Sequence, residues 1–323
     1  MQVELVAVQA RIEPEAYASA GAFAERTLAL ARRAVAGLPP ERPRVVAFPE
    51  AYALPLTFWL EAPAAVTEAP SALAAGLRWL GRLLRERPAT LLRRPSPAAL
   101  YALRAAEVWR AYHAAFARAA RAANAYLVGG SFFAPLLDEE PVRGIYAPAP
   151  AAQNWLAVFA PNGRVLARVP KIRLMPEERR AFLRGGAFGP HVVTTRLGRL
   201  GTLICLDAFH EALVERVDAA GAWLLVQPSA NAAAWSGPWS GDGAQVEGEV
   251  WLREGLARKL EGRENLRYGL NPMLNGRFYD LTFEGRSSVA APGRYLALAD
   301  EPVGDAIVRA TVELPADAAR GNL

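Results

Sequence analysis

Three polar residues stand just after short apolar runs, and their side chains make a chemically coherent set. Glu50 follows Val45–Phe48 and Pro49, Lys171 follows Val165–Val169 and Pro170, and Cys205 follows Leu203-Ile204. The ends of buried strands are where α/β folds put their sites. A thiol attacks as a thiolate and therefore needs a base. No histidine flanks Cys205 closely, since His210 is five residues on. A carboxylate can do that work if burial raises its pKa. A tetrahedral intermediate needs positive charge or N–H donors aimed at its oxyanion. Lys171 can supply the charge, and the backbone N–H of Leu206 a donor at the start of the turn into a helix. Taken singly, each residue is ordinary: a lone cysteine after a strand is usually inert core, a strand-end glutamate is usually solvated or capping a helix, and a lysine after a proline is usually on the surface. The case rests on carboxylate, ammonium and thiol together.

Lysine is scarce, which sharpens the reading of Lys171. Lys plus Arg is 37, but only Lys171 and Lys259 are lysines. In a background drifted towards arginine, a retained lysine marks a place that needs a compact ammonium head and a movable pKa.

The elements that would position these residues alternate between strand and helix. Val3–Gln9 reads as a strand, Ala22–Ala36 as a helix, and Val45–Phe48 as a strand buried on both faces. Residues 60–106 read as helical with breaks at Pro88, Pro95 and Pro97. There Leu73, Leu77, Leu80 and Leu84 share one face, while Arg78, Arg82 and Arg85 share another. Residues 107–123 read as a further helix, and Tyr126–Val128 as a strand ending in Gly129-Gly130. Trp155–Phe159 and Val165–Val169 read as a hairpin around Asn162-Gly163. Leu200–Ile204 and Trp223–Val226 read as strands flanking a helix at His210–Ala219. A helix at Ala244–Leu260 and strands near Leu266–Leu270, Ser287–Ala290 and Asp305–Val312 complete the pattern. With no linker and no repeat, this predicts one α/β domain over residues 1–323 with a mixed sheet and helices layered on it.

Composition excludes much else. Of 323 residues, 52% are hydrophobic and 21% charged, enough for a large core and against disorder. A single cysteine excludes an internal disulfide and any multi-cysteine metal site. His113, His191 and His210 lack zinc spacing, so neither metal nor cofactor is expected. No apolar run approaches a membrane span of about 18 residues, and the first residues lack the pattern of a signal peptide. A cytoplasmic protein without stable membrane insertion is expected. The net charge of +5 is uneven: residues 71–123 hold ten arginines against Glu86 and Glu107, a local +8 that leaves −3 elsewhere. With no aromatic interleaving or recognition motif, nucleic acid is not an expected partner.

The segments around the three residues resemble the signatures of the nitrilase superfamily of carbon–nitrogen hydrolases, whose triad is Glu-Lys-Cys in that chain order. Phe48-Pro49-Glu50 resembles the first signature. Gly163-Arg164-Val165 leading to Val169-Pro170-Lys171-Ile172-Arg173-Leu174 resembles the second, and Gly201-Thr202-Leu203-Ile204-Cys205-Leu206-Asp207 the third. Flanking likenesses occur at Leu127–Ser131, Gly221–Ala230, Arg263–Asn265 and Phe283–Ser287. The resemblance spans about residues 1–59 and 107–312. It implies a four-layer α-β-β-α sandwich with mixed sheets, a small-molecule substrate, no cofactor, and a homodimer or higher homo-oligomer paired through His210–Ala219. Carried over, it implies Glu50 as general base, Lys171 as oxyanion stabiliser and Cys205 as the nucleophile that forms a thioester. Glu178, two residues after Pro176, matches a second glutamate that holds Lys171 and Glu50.

The departures also carry expectations. Nitrile-hydrolysing members usually have Cys-Trp-Glu, whereas this chain has Cys205-Leu206-Asp207, which favours amides, ureides or carbamoyl groups. Tyr52, Phe132, Leu206, Asn231 and Trp235 are expected at the substrate pocket because loops at strand ends face such sites. The arginine-rich helical insertion at about 60–106 has no counterpart in the compact family pattern. It is expected to pack as an amphipathic hairpin with a solvated arginine face and to border the pocket. The alternatives are an acyl- or amidotransferase on the same scaffold, and a non-catalytic member that binds an anionic partner through the insertion.

Overall fold

The computed structural model describes residues 1–86, 99–136, 151–239 and 241–315. The first part runs β1 (Gln2–Arg11), α1 (Ala20–Val35), β2 (Arg44–Ala47), α2 (Pro55–Trp59), α3 (Ala64–Thr67), α4 (Ala72–Glu86), α5 (Ala99–Ala123), β3 (Tyr126–Val128) and β4 (Phe132–Pro135). The middle runs β5 (Ala152–Phe159), β6 (Val165–Pro170), α6 (Pro176–Arg180), β7 (Val192–Thr195), β8 (Gly198–Thr202), α7 (Glu211–Ala219) and β9 (Ala222–Val226). The last part runs α8 (Glu247–Glu254), α9 (Leu256–Lys259), β10 (Tyr268–Asn271), β11 (Leu274–Phe278), β12 (Leu281–Phe283), β13 (Ser288–Ala291), β14 (Arg294–Leu298) and β15 (Ala306–Glu313).

The strands form two mixed sheets. In the first, the order is β12-β11-β1-β2-β3-β5-β4, with β15 pairing β1 and β6 pairing β5. In the second it is β14-β13-β10-β9-β8-β7. The strands β1, β2 and β3 are parallel, as are β8, β9 and β10, so helices must cross over between them. Lying between β2 and β15, β1 is buried at eight of its ten positions, on both faces of the sheet.

Three apolar layers hold the sandwich together. Phe23, Leu30, Phe116 and Phe159 join α1 and α5 to the outer face of the first sheet. Leu5, Val45, Val158, Leu224 and Val226 fill the space between the two sheets. Leu213, Val217, Leu225 and Leu256 join α7 and α9 to the outer face of the second. This is the expected α-β-β-α order. Ser19 starts α1 by accepting the Ala22 N–H on its Oγ at 3.1 Å. Among the described residues, no helix is long and apolar enough to cross a membrane.

Several sequence expectations shift. The helix expected at 107–123 begins at Ala99. The helix expected at 244–260 is broken at Gly255, where a Cβ would lie 2.0 Å from the Trp251 carbonyl oxygen. The strands β4, β7, β11, β12 and β14 went unread because each spans only three to five residues, too few to show a period of their own.

The insertion packs differently from its leucine stripe. Leu73, Leu77 and Leu84 are exposed, at 71%, 59% and 45%, and α4 instead buries Ala75, Trp79 and Leu83. Trp79 decides this orientation, because its Nε1 donates to the Phe58 carbonyl at 2.9 Å. The Arg104 guanidinium lies over its ring at 4.2 Å and donates to the Leu60 carbonyl. Arg104 is therefore buried, at 5% exposure. Residues 87–98 of the insertion, including Pro88, Pro95 and Pro97, lie outside the described residues.

Candidate active site

The tight turns after β2 and β8 present Glu50 and Cys205. Both depart from ordinary backbone geometry: Ala51, just after Glu50, has φ +56°, and Cys205 itself has φ +49°. Non-glycine residues rarely adopt such angles, and they persist only where the surroundings enforce them. At Ala51 the enforcement is Ser131, whose Oγ accepts the Ala51 N–H at 2.8 Å. At Cys205 the N–H donates to the Pro228 carbonyl at 2.8 Å, and Gln227 Nε2 donates to the Cys205 carbonyl. Asn271 in turn donates to the Gln227 carbonyl and to Ser229 Oγ.

Lys171 lies at the end of β6, 1% exposed, with Nζ 2.7 Å from Glu50 Oε1 and 2.7 Å from Glu178 Oε2. Asn154 on β5 joins the two carboxylates from the other side, its Nδ2 donating at 2.8 Å to Glu50 Oε1 and at 2.8 Å to Glu178 Oε1. Glu50 Oε2 accepts the Ala230 N–H at 3.1 Å, and Glu50 also bonds with the Cys205 thiol. The structure thus brings Glu50, Lys171, Glu178 and Cys205 into one buried cluster.

Burial dominates the electrostatics. It raises the Glu50 pKa; Lys171 opposes that rise, and Glu178 adds to it. The Cys205 thiol is pushed far up by burial and by the Glu50 charge, with Lys171 acting against both. Burial disfavours the Lys171 ammonium, yet Glu50, Cys205 and Glu178 together hold its pKa well above the usual range. Burial and the Glu50 charge thus keep Cys205 as a thiol, beside the Glu50 side chain.

Asn154 and Asp207 are structural members of the cluster that the sequence reading assigned no part. Asn154 had a legible signal, a buried amide leading into the apolar run Trp155–Phe159. Asp207 accepts the Ile172 N–H at 3.0 Å and the Arg173 N–H at 2.6 Å, and so ties the cysteine turn to the loop after Lys171. Burial raises its pKa to about 6 in spite of those two donors.

A cavity of about 750 Å³ opens over Cys205. Leu206 and Asn231 line it. Tyr52 and Phe132 do not. Tyr52 is fully buried against Phe48, Phe23 and Phe116, with its hydroxyl 3.2 Å from Thr27 Oγ1. Phe132 is fully buried against Trp155 and Tyr112, and the pleat of β4 turns Phe133 to the cavity instead. Trp235 also stays off the wall: its indole lies against Gly248, where a Cβ would come within 2.4 Å of Nε1. Trp239 and Trp251 take its place, and nothing periodic in the sequence singles them out. The insertion does border the cavity, through Ala72 and Tyr101. Among the described residues, no group of three His, Cys, Asp or Glu could hold a metal ion.

The fold and the buried cluster define a class of protein, and comparison with known proteins supplies the family. The model of the carbon–nitrogen hydrolase family matches residues 5–253, and the chain belongs to that family. Among solved structures, the carbon–nitrogen hydrolase from Helicobacter pylori G27 superposes with a TM-score of 0.65 at 16% identity, covering 97% of this chain and 89% of that one. Saccharomyces cerevisiae Nit3, a member of branch 10 of the nitrilase superfamily, gives 0.59 at 15% identity, covering 99% and 92%. A variant of the amidase from Nesterenkonia sp. AN1, with acrylamide added at its active-site cysteine, gives 0.58 at 20% identity, covering 100% and 96%. At these identities the likeness is one of fold. No curated protein sequence matches the chain significantly.

Proposed function

We propose that this carbon–nitrogen hydrolase cleaves an amide, ureide or carbamoyl group through a thioester on Cys205. The observation that carries the reading is the buried Lys171 ammonium, held 2.7 Å from Glu50 in a cluster that also holds the only thiol in the chain. Glu50 takes the proton from Sγ as Sγ attacks the carbonyl carbon. Lys171 and the Leu206 N–H receive the oxyanion. As the tetrahedral intermediate collapses, the C–N bond breaks and Glu50 delivers its proton to the departing amine or ammonia. A water then gives its proton to Glu50 and attacks the thioester, and the C–S bond breaks to release the acid and restore the thiol. Glu178 and Asn154 keep Lys171 and Glu50 in place throughout. Asp207 is committed to the loop after Lys171 and takes no part in bond breaking. Two copies pair through α7.

The test is ammonia release across amides, ureides, carbamoyl compounds and nitriles, with Cys205→Ala in parallel. Because Cys205 is the only cysteine, intact mass spectrometry assigns any trapped acyl adduct to it. Activity that survives in Cys205→Ala overturns the reading.

A further inference from the structure

The cavity over Cys205 is far larger than a small aliphatic amide requires, and eight of its lining residues are aromatic. Three edge-to-face pairs stand around it: Phe58 with Phe278 at 5.3 Å between centroids, Tyr101 with Phe133 at 5.8 Å, and Phe209 with Trp251 at 4.9 Å. Such pairs are rigid and present ring faces and edges to an apolar guest. They come from separate parts of the chain, including the insertion at Tyr101 and the cysteine turn at Phe209.

The charges on the wall point the same way. Among the described lining residues the cations are Lys171 and Arg253. Lys171 is held between Glu50 and Glu178, and Arg253 is engaged by Glu254 at 2.8 Å and by Gln245. The other ionisable lining residues are acids: Glu177, Glu247 and Glu254, with Glu247 only 2% exposed and accepting the Trp251 indole N–H at 2.9 Å. A substrate that brings its own carboxylate would lose its hydration here and meet like charges, with Arg253, already engaged, the one guanidinium among the described lining residues.

We infer that the substrate is an amide with a bulky, uncharged apolar group, aromatic or of medium chain length, and that amides bearing a carboxylate are rejected. This rests on the hydrolase reading for its chemistry, but the binding preference is a property of the cavity and can be measured separately. Each buried methylene is worth about fourfold in affinity, so a phenylpropyl group can bring a preference of ~100-fold or more.

The experiment has two arms. In the first, 4-phenylbutanamide, acetamide and glutaramate are titrated calorimetrically into Cys205→Ala, with Cys205→Ser as a second inert form should the first fold poorly. The expected result is that 4-phenylbutanamide binds at least ~100-fold more tightly than either of the others. Binding within about threefold for all, or glutaramate tightest, overturns the inference. In the second arm the wild type hydrolyses the same three, and kcat/KM is expected to follow the same order. The double variant Phe133→Ala, Phe278→Ala should cut the preference for the phenyl amide at least tenfold. Tight binding of 4-phenylbutanamide without hydrolysis would support the cavity's preference while removing the hydrolase reading. Hydrolysis dependent on Cys205 that favours acetamide or glutaramate would do the reverse.

Discussion

The carboxylate of Asp207 accepts the backbone N–H of Arg173 at 2.6 Å, joining the turn that carries the thiol to the loop that carries the ammonium. Thirty-four residues separate the two in sequence. The bond gives the third residue of Cys205-Leu206-Asp207 a positioning role, independent of any contact with substrate.

Replacing Asp207 by Ala should therefore loosen Lys171 without removing a reacting group. Two part-buried backbone N–H groups lose their acceptor, at a cost of at most about 1–3 kcal/mol each. We expect kcat to fall by ~100-fold with KM little changed, and Asp207→Asn to recover part of it because its oxygen still accepts. Steady-state kinetics beside thermal melting tests this; an unchanged kcat in Asp207→Ala would remove the positioning role.

Asn154 stabilises the charged forms of both carboxylates that it bonds. In Asn154→Leu the charged form of Glu50 loses a donor, and its already raised pKa must rise further. The acid limb of the kcat/KM profile should move to higher pH. A limb that stays in place or moves lower would contradict Glu50 as the base reported by that limb.

Lys171→Arg should abolish turnover, by at least ~1000-fold. The ammonium sits between two carboxylates at 2.7 Å as a compact point charge, and a planar fork cannot reproduce both contacts without displacing the carboxylates. Ammonia release at high enzyme concentration measures the residue of activity. Folding is checked by circular dichroism.

His191 is buried, with Nε2 2.9 Å from the Pro170 carbonyl and Nδ1 accepting the Gly189 N–H at 3.3 Å. Those two bonds define a neutral ring with its proton on Nε2. Burial lowers its pKa to about 4. Between that value and the unfolded value of about 6.5, the unfolded chain binds more protons than the folded one. The contribution of His191 to stability thus rises with pH across this window and is lost as pH falls through it. The stability lost in His191→Ala should be larger at pH 7 than at pH 4.5, measured by urea unfolding at both. An equal loss at both would place the proton elsewhere.

Gly130 packs so closely that a Cβ would lie 2.3 Å from the Tyr52 Cβ and 2.8 Å from the Pro49 carbonyl oxygen. Gly130→Ala must displace the turn that carries Glu50. We expect a loss of several kcal/mol, in the range of overpacked cores at about 1–3 or above, and a fall in kcat of at least ~10-fold. Wild-type kinetics in this variant would show that the turn can shift without moving Glu50.

Much of the frame was legible because local rules carry it. β1, β2, β3 and β9 are largely apolar, and burial on both faces writes itself into sequence in that way. Glu50, Lys171 and Cys205 could be picked out because each follows such a strand, and Glu178 because of its spacing from Pro176. Lone, short strands such as β12 have no such signature. The pocket was the least legible part. Whether Phe132 or Phe133 faces the substrate is a matter of strand register, and a shift of one residue exchanges the two faces. The leucines of α4 mislead for a similar reason: periodicity reveals that a helix has an apolar face, while the fit of Trp79 against Phe58 and Arg104 sets which face turns inward.

By itself, then, the sequence determined the order of elements, the layered class and the identities of the four charged or nucleophilic residues, because those depend on local spacing and residue type. Only the tertiary structure decided that Asn154 would join Glu50 to Glu178, that Asp207 would anchor the Lys171 loop, and that eight aromatic side chains from distant segments would line the cavity. These contacts pair residues far apart in the chain, and their partners are selected by sheet order and packing, which no local pattern encodes.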